Sequence, residues 1–205
     1  MWQRNIASER AQDAESGYAG EIFDKLAAMY GETWRTYHNM GHISSCLTYF
    51  DRCRDVADYP DAIEMAIWFH DCIYVVGSED NEALSRDWFL EVTDGHLKPS
   101  LRKAVDGLIM DTVHDGVPET QDGKLLADID LTSFGLPWDE YMRDGDNVRE
   151  EMALNQDGAG KGGKYSFLDN LLSRQSVYFS DYYLKNYEES AQANLRKHKE
   201  LLAST

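Results

Sequence analysis

Six histidines punctuate this chain, and three places among them combine residue types that could do chemistry. His38 and His42 lie four apart in YHNMGH. On a helix that spacing puts both imidazoles on one face, a turn apart. Such a pair can share a metal, or one ring can bind it while the other touches a substrate; taken alone, two helix-surface histidines explain it as well. His70 and Asp71 close the unbroken apolar run Ala66 to Phe69. A helix apolar on all sides is buried, and a buried carboxylate needs compensation. A divalent metal would compensate both groups at once, and an ion pair would compensate them in part. Asp128 and Asp130, in LLADIDLTSFG, again stand among apolar neighbours. Residues two apart point to nearly opposite sides of a helix, so one of the two faces any given site, and the alternative for both is helix capping. Nitrogen and oxygen donors of this mixed kind suit Mn²⁺, Fe²⁺, Co²⁺, Ni²⁺ or Zn²⁺, and less often Mg²⁺.

The elements that must position these groups read as helices. Ile22, Leu26 and Met29 recur at helical steps, as do Ile43, Leu47 and Phe50 between Asn39 and about Arg54. Pro60 marks a first helical position before DAIEMAIWFHD. Further helices are predicted from Asn81 to Val92, from Pro99 onward, over LLADIDLTSF up to Gly135, from Pro137 through WDEYMRDGDNVREEM, and around Phe167 to Tyr178 and Tyr182 to Leu202. CIYVV reads as a helix end running into a loop, not as a strand. The fold expected is all-α: a compact helical bundle with C-terminal helices packed on it. Residues 1–17 are read as an N-terminal tail, 18–205 as a single helical domain, and 156–165 as a flexible loop.

Composition narrows the function. The net charge of −17 over 205 residues repels nucleic-acid backbones and anionic lipid, so no stable nucleic-acid or membrane binding is expected. A bound divalent cation would reverse the sign locally and admit an anionic substrate. Cys46, Cys53 and Cys72 form no CxxC pair and read as small buried hydrophobes in a reducing compartment. The N-terminus shows no apolar signal segment, and no run approaches the ~18 apolar residues of a membrane span, so a cytoplasmic location is expected. His96 and His198 have polar neighbours and read as surface residues.

The ordered set His42, His70–Asp71, Asp130 resembles the HD superfamily of metal-dependent phosphohydrolases. Within it the chain resembles a family of small HD phosphohydrolases, on the pieces YHNMGHI, AIWFHDCIY, EDNEALS, IMDTVHDG, DIDLTSFG, YSFLDNLLSR and YEESAQANL, from about residue 36 to 195. The resemblance implies an HD-type bundle and a divalent metal held by His42, His70, Asp71 and Asp130. Asp130 is chosen over Asp128 because the family pattern places its aspartate directly before a leucine. YHNMGH also resembles the YHNxxH of cyclic-nucleotide phosphodiesterases, which makes His42 the ligand and His38 the acid that protonates the leaving oxygen. His114 is implied as a contact to substrate phosphate or to a second metal, against a helix C-terminal histidine favoured by the dipole. Glu82 would orient the attacking water or anchor its loop, against an ordinary acidic residue in a first helical turn.

The activity implied is hydrolysis of a phosphoester or phosphoanhydride in a small phosphorylated substrate, a nucleotide for preference. The alternatives are an alarmone or cyclic-nucleotide hydrolase, or a binding module without catalysis. Arg35 and Lys164 are the candidates to neutralise phosphoryl charge; Trp34, Tyr37 and Tyr74 could stack on a base. A homo-oligomer is left open. GAGKGGKY nearly matches a phosphate-binding loop, but Tyr165 stands where the metal-binding hydroxyl belongs and no strand precedes it. Lys161 and Lys164 in that loop could close over phosphates, although a solvated loop is the simpler reading.

Overall fold

A computed structural model of the chain describes residues 12–154 and 168–203. Their architecture is all-α, with no β-strand among them. Helix α1 (Gln12–Tyr30) begins within the stretch read as a tail. It buries Ile22, Leu26 and Tyr30, one side chain per turn. Two tyrosines fasten it to the rest: Tyr18 donates to the carbonyl of Val92 at 2.8 Å, and Tyr30 to that of Trp68 at 3.1 Å.

Helix α2 (Met40–Cys53) starts where the Asn39 side chain accepts from the Gly41 N–H at 2.7 Å. That cap starts the helix at Met40, close to the Asn39 expected, so His38 lies outside α2 and the shared helix face that the four-residue spacing could give does not form. His38 belongs to the preceding turn. Helix α3 (Pro60–Phe69) carries Pro60 at its start and buries Ala62, Ile63, Met65, Ala66, Ile67 and Phe69. Apolar all round from Met65 to Phe69, it becomes the axis of the core and packs against α2, α5 (Pro99–Asp111) and α6 (Gln121–Asp130). Helix α4 (Asn81–Val92) covers α5 from outside. The N–H groups of Asp58 and Tyr59, just ahead of α3, are both taken by the Asp122 carboxylate of α6 at 2.8 Å, which fixes α3 against α6.

After α6 a 3-10 turn (Thr132–Gly135) leads into α7 (Trp138–Ala153). Gly135 allows a close approach here: a Cβ would stand 2.8 Å from the Tyr187 Cβ. Helical residues 168–173 form α8. The long helix expected from Tyr182 onward is divided at Tyr187 into α9 (Asp181–Asn186) and α10 (Glu188–Ala203). The break is built by Ser180, which caps α9, and by Glu188, whose carboxylate accepts from Val177 N and Tyr178 N at 3.0–3.1 Å. Helices α9 and α10 pack on α6 and on the 3-10 turn, so the C-terminal helices do lie on the bundle. The three cysteines are free and buried, as expected. His198, expected at the surface, is 5% exposed, because α10 turns it inward onto Tyr141. His96 is half-buried, stacked on Tyr18 at 3.9 Å between ring centroids.

Candidate metal centre

Three helix ends meet at one point of the bundle. Helix α2 contributes His42 from its first turn, α3 ends in His70 followed by Asp71, and α6 ends at Asp130. Helix C-termini are the negative ends of their dipoles, so α3 and α6 add negative potential to two carboxylates already present. His42 Nε2 lies 3.0 Å from Asp130 Oδ1, 3.3 Å from His70 Nε2 and 3.6 Å from Asp71 Oδ2. His70 Nε2 lies 3.1 Å from Asp71 Oδ2 and 3.4 Å from Asp130 Oδ1. One donor atom from each residue falls within 4.8 Å of all the others. His42, His70 and Asp71 are buried, and the Asp130 side chain is 16% exposed.

The donor set fits a cation. His70 Nδ1 donates to the Ile67 carbonyl at 3.0 Å. In the neutral ring this leaves Nε2 as a bare lone pair facing another imidazole and two carboxylates, an arrangement that repels unless they share positive charge. Burial would push the His70 imidazole down, but Asp71 and Asp130 outweigh it and raise it well above the usual histidine range. Burial likewise opposes ionisation of Asp130, yet hydrogen bonds from His114, His42 and His70 hold it well below the usual carboxylate range. Asp71 is kept low in the same way, chiefly by His70 and then His38. The cluster therefore draws positive charge, and these four side chains could hold a metal ion.

The other expected site residues divide. His114 places Nε2 2.8 Å from Asp130 Oδ2, so it orients the carboxylate whose other oxygen faces the imidazoles. It does so from a left-handed backbone, φ 60°, a conformation that costs a residue with a Cβ. Arg174 steadies the turn by donating to the His114 carbonyl at 2.7 Å. Glu82, in the first turn of α4, faces the same cavity as His38 and Tyr74, and burial raises its carboxyl, helped by Asp71 and Asp130. Asp128 points away from the centre, to residues 179 and 180.

Arg35 is corrected. Its guanidinium is buried and consumed by backbone: Nη1 donates to the carbonyls of Asp71 (2.7 Å) and His38 (3.2 Å), and Nη2 to that of Cys72 (3.0 Å). Nε pairs with Glu32 at 2.9 Å. It locks the turn carrying His38 to the turn carrying Asp71, and lines neither cavity at the centre. Lys161 and Lys164 lie outside the described residues.

One residue of the site escaped the sequence reading. Glu151 of α7 is fully buried and accepts from the N–H groups of Tyr37 and His38, both at 3.0 Å, while its second oxygen lies 2.5 Å from His38 Nδ1. Burial works against the charge, but His38 outweighs it and keeps the carboxyl below its usual range. The signal was helical phase: Glu151 falls seven and ten residues from Asp144 and Tyr141, on the inward side of α7. His38 is stacked on Tyr74 at 4.1 Å, and its ring centroid is 6.0 Å from that of His42.

Two cavities flank the centre and share Tyr37, Asp130, Ser133 and Asp144. One, of about 300 Å³, is lined by polar groups that include Asn39, Ser45, Arg143 and Asn147. The other, of about 310 Å³, holds His38, Asp71, Glu82 and His114 and extends along α7. No described helix is long and apolar enough to cross a membrane. Comparison with models of known protein families, with curated proteins and with solved structures gives no match.

Proposed function

We propose that this chain is a metal-dependent phosphohydrolase of the HD type, which cleaves a phosphoester or phosphoanhydride in a nucleotide or a related small phosphorylated metabolite. The observation that carries the reading is the convergence of His42, His70, Asp71 and Asp130 from three helix ends into one buried donor set beside a cavity. When bound, a divalent ion supplies Lewis acidity, polarising a phosphoryl oxygen and making water ionise near neutral pH.

The chain's own residues do the rest. His38 lines the cavity next to the cluster and is held by Glu151, so its ring faces the position of a leaving oxygen. Water oxygen forms the new bond to phosphorus, the phosphorus–oxygen bond to the leaving group breaks, and that oxygen keeps the electron pair and takes its proton from His38. Glu82, across the same cavity, orients the water and receives the proton it loses. A raised carboxyl suits that role, because it accepts a proton more readily than an ordinary one. His114 fixes which oxygen of Asp130 faces the imidazoles. The products are an alcohol, or a shortened phosphate, and inorganic phosphate.

The test is metal content by elemental mass spectrometry on wild type, His70→Ala and Asp130→Ala, followed by phosphate release from a nucleotide panel. About one ion per chain in wild type, lost from both variants together with activity, is the expected result, since metal affinity depends on the full ligand set. Wild-type protein that takes up no Mn²⁺, Fe²⁺, Co²⁺, Ni²⁺, Zn²⁺ or Mg²⁺ on reconstitution would remove the reading and leave these residues as core polar partners.

A further inference from the structure

The cavity that contains His38 has a shape and a charge that go beyond the reaction type. It follows α7: Tyr141, Asp144, Val148 and Met152 line it at helical spacing. From Tyr141 to Glu151, the residue that holds His38, is ten residues, or about 15 Å of helix. At the end near Glu151 stand His38, Asp71 and Glu82; at the far end Tyr141 Oη lies 2.5 Å from His198 Nδ1. Between them the wall is mainly apolar, with Val113, Leu131, Phe134, Val148, Met152 and Leu168 around Asp144. Its volume, about 310 Å³, lies at the low end of the roughly 300–1,000 Å³ of small-molecule sites.

Charge selects further. The described lining residues include four carboxylates, Asp71, Glu82, Asp130 and Asp144, and no lysine or arginine. One phosphoryl group can be balanced at the cluster. A second phosphate carried into the cavity would meet like charge and apolar walls, with no lysine or arginine among the described lining residues to pair it. The cavity on the other side of the cluster differs: it contains Arg143 and a larger share of polar groups, among them Asn39, Ser45 and Asn147. His38 faces the α7 cavity, so the leaving oxygen must lie at its mouth and the group behind that oxygen must occupy it.

We infer that the α7 cavity takes the leaving group of the substrate, and that this group is uncharged and ring-containing. The substrate is then a phosphomonoester with a single phosphoryl group, and not a polyphosphate cleaved at its terminal anhydride. The Tyr141–His198 pair gives the far end of the cavity a polar contact with that group. The inference rests on the phosphohydrolase reading of the cluster, and its test separates the two.

The probes are non-hydrolysable phosphonates, measured by calorimetry on the metal-loaded full chain. Benzylphosphonate is expected to bind more tightly than methylphosphonate by roughly tenfold or more, since a ring removed from water outweighs a single methylene. 4-(Phosphonomethyl)benzoate, the same ring with an added carboxylate, is expected to bind more weakly than benzylphosphonate. Val148→Trp, which fills the cavity from α7, should erase the advantage of benzylphosphonate and leave methylphosphonate binding and metal content unchanged. Val113→Phe fills it from the opposite wall and serves if Val148→Trp does not fold, as judged by its thermal melt. Equal binding of the first two phosphonates, undiminished binding of the benzoate, or an equal loss of both in the filled variant overturns the inference and spares the reading of the cluster. Failure of both phosphonates to bind metal-loaded protein overturns the inference and the reading of the cluster together.

Discussion

Asp128 and Asp130 stand two residues apart on one helix, both enclosed by protein, and meet opposite fates. Asp130 faces three imidazoles, which outweigh the burial that opposes its charge and hold it well below the usual range. Asp128, on the other side of α6, meets only neutral donors: Phe179 N at 2.9 Å, Ser180 N at 2.7 Å and Ser180 Oγ at 2.5 Å. Burial there dominates, and the carboxyl is pushed up to about 7. Hydrogen bonds from uncharged groups satisfy a buried carboxylate without supplying the countercharge that imidazolium supplies. The difference separates two jobs: Asp130 gathers positive charge at the end of the helix that joins the His42–His70–Asp71 cluster, and Asp128 pins the chain that leads into α9.

The largest effects should come from exchanging these jobs. Asp130→Asn should fold and lose its metal, and phosphate release should fall by more than the roughly 10–100-fold that loss of an outer partner costs a metal site. Asp128→Ala should do the reverse. It leaves every donor of the cluster in place but strips the acceptor from two buried N–H groups, a loss on the order of 3 kcal/mol in stability. Elemental analysis and urea melts on the two variants measure both. Metal lost from folded Asp128→Ala, or kept in full by Asp130→Asn, would break the comparison.

The sequence made the ligand side of this comparison legible and hid most of its support. Pro60, Pro99 and the apolar run before His70 mark helix positions directly, so α3, α5 and the burial of His70–Asp71 could be read from residue type. Asp130 could be preferred over Asp128 by resemblance alone, because both have apolar neighbours and their faces depend on the packing of α6 against distant residues 179 and 180. The start of α2 near Asn39 was legible, but not that it leaves His38 in the preceding turn, because the four-residue spacing to His42 fits a shared helix face as well as a turn and a cap. Arg35 was misread for a related reason. A basic residue near a phosphate site suggests a phosphate contact, while its true partners are carbonyls 3 to 37 positions away that no local pattern announces.

Glu151 is a further enclosed carboxylate and sharpens the comparison, because it combines both kinds of partner: backbone N–H groups, as at Asp128, and an imidazole, as at Asp130. Its carboxyl lies below the usual range, so the imidazole decides the outcome. The sign of its pH dependence follows. A carboxyl lowered by folding contributes stability that is full above its unfolded value, near 4.3, and is lost as pH falls through the lower folded value. Glu151→Gln should therefore cost about 1.5 kcal/mol at pH 7, the scale of a hydrogen bond to a charged group. The gap to wild type in urea melts should shrink as pH drops below about 4. Because Glu151 positions His38 and does not touch the cluster, metal content should stay the same. The maximal rate should fall by about tenfold, part of the 10²–10⁴ that a placed general acid supplies, with KM little changed. In a His38→Ala background both the rate effect and the pH-dependent gap should largely vanish, because the imidazole that lowers the carboxyl is gone. A gap that persists unchanged there would mean that the backbone donors alone keep Glu151 ionised, and the contrast between Asp128 and Asp130 would need a cause other than their partners' charge.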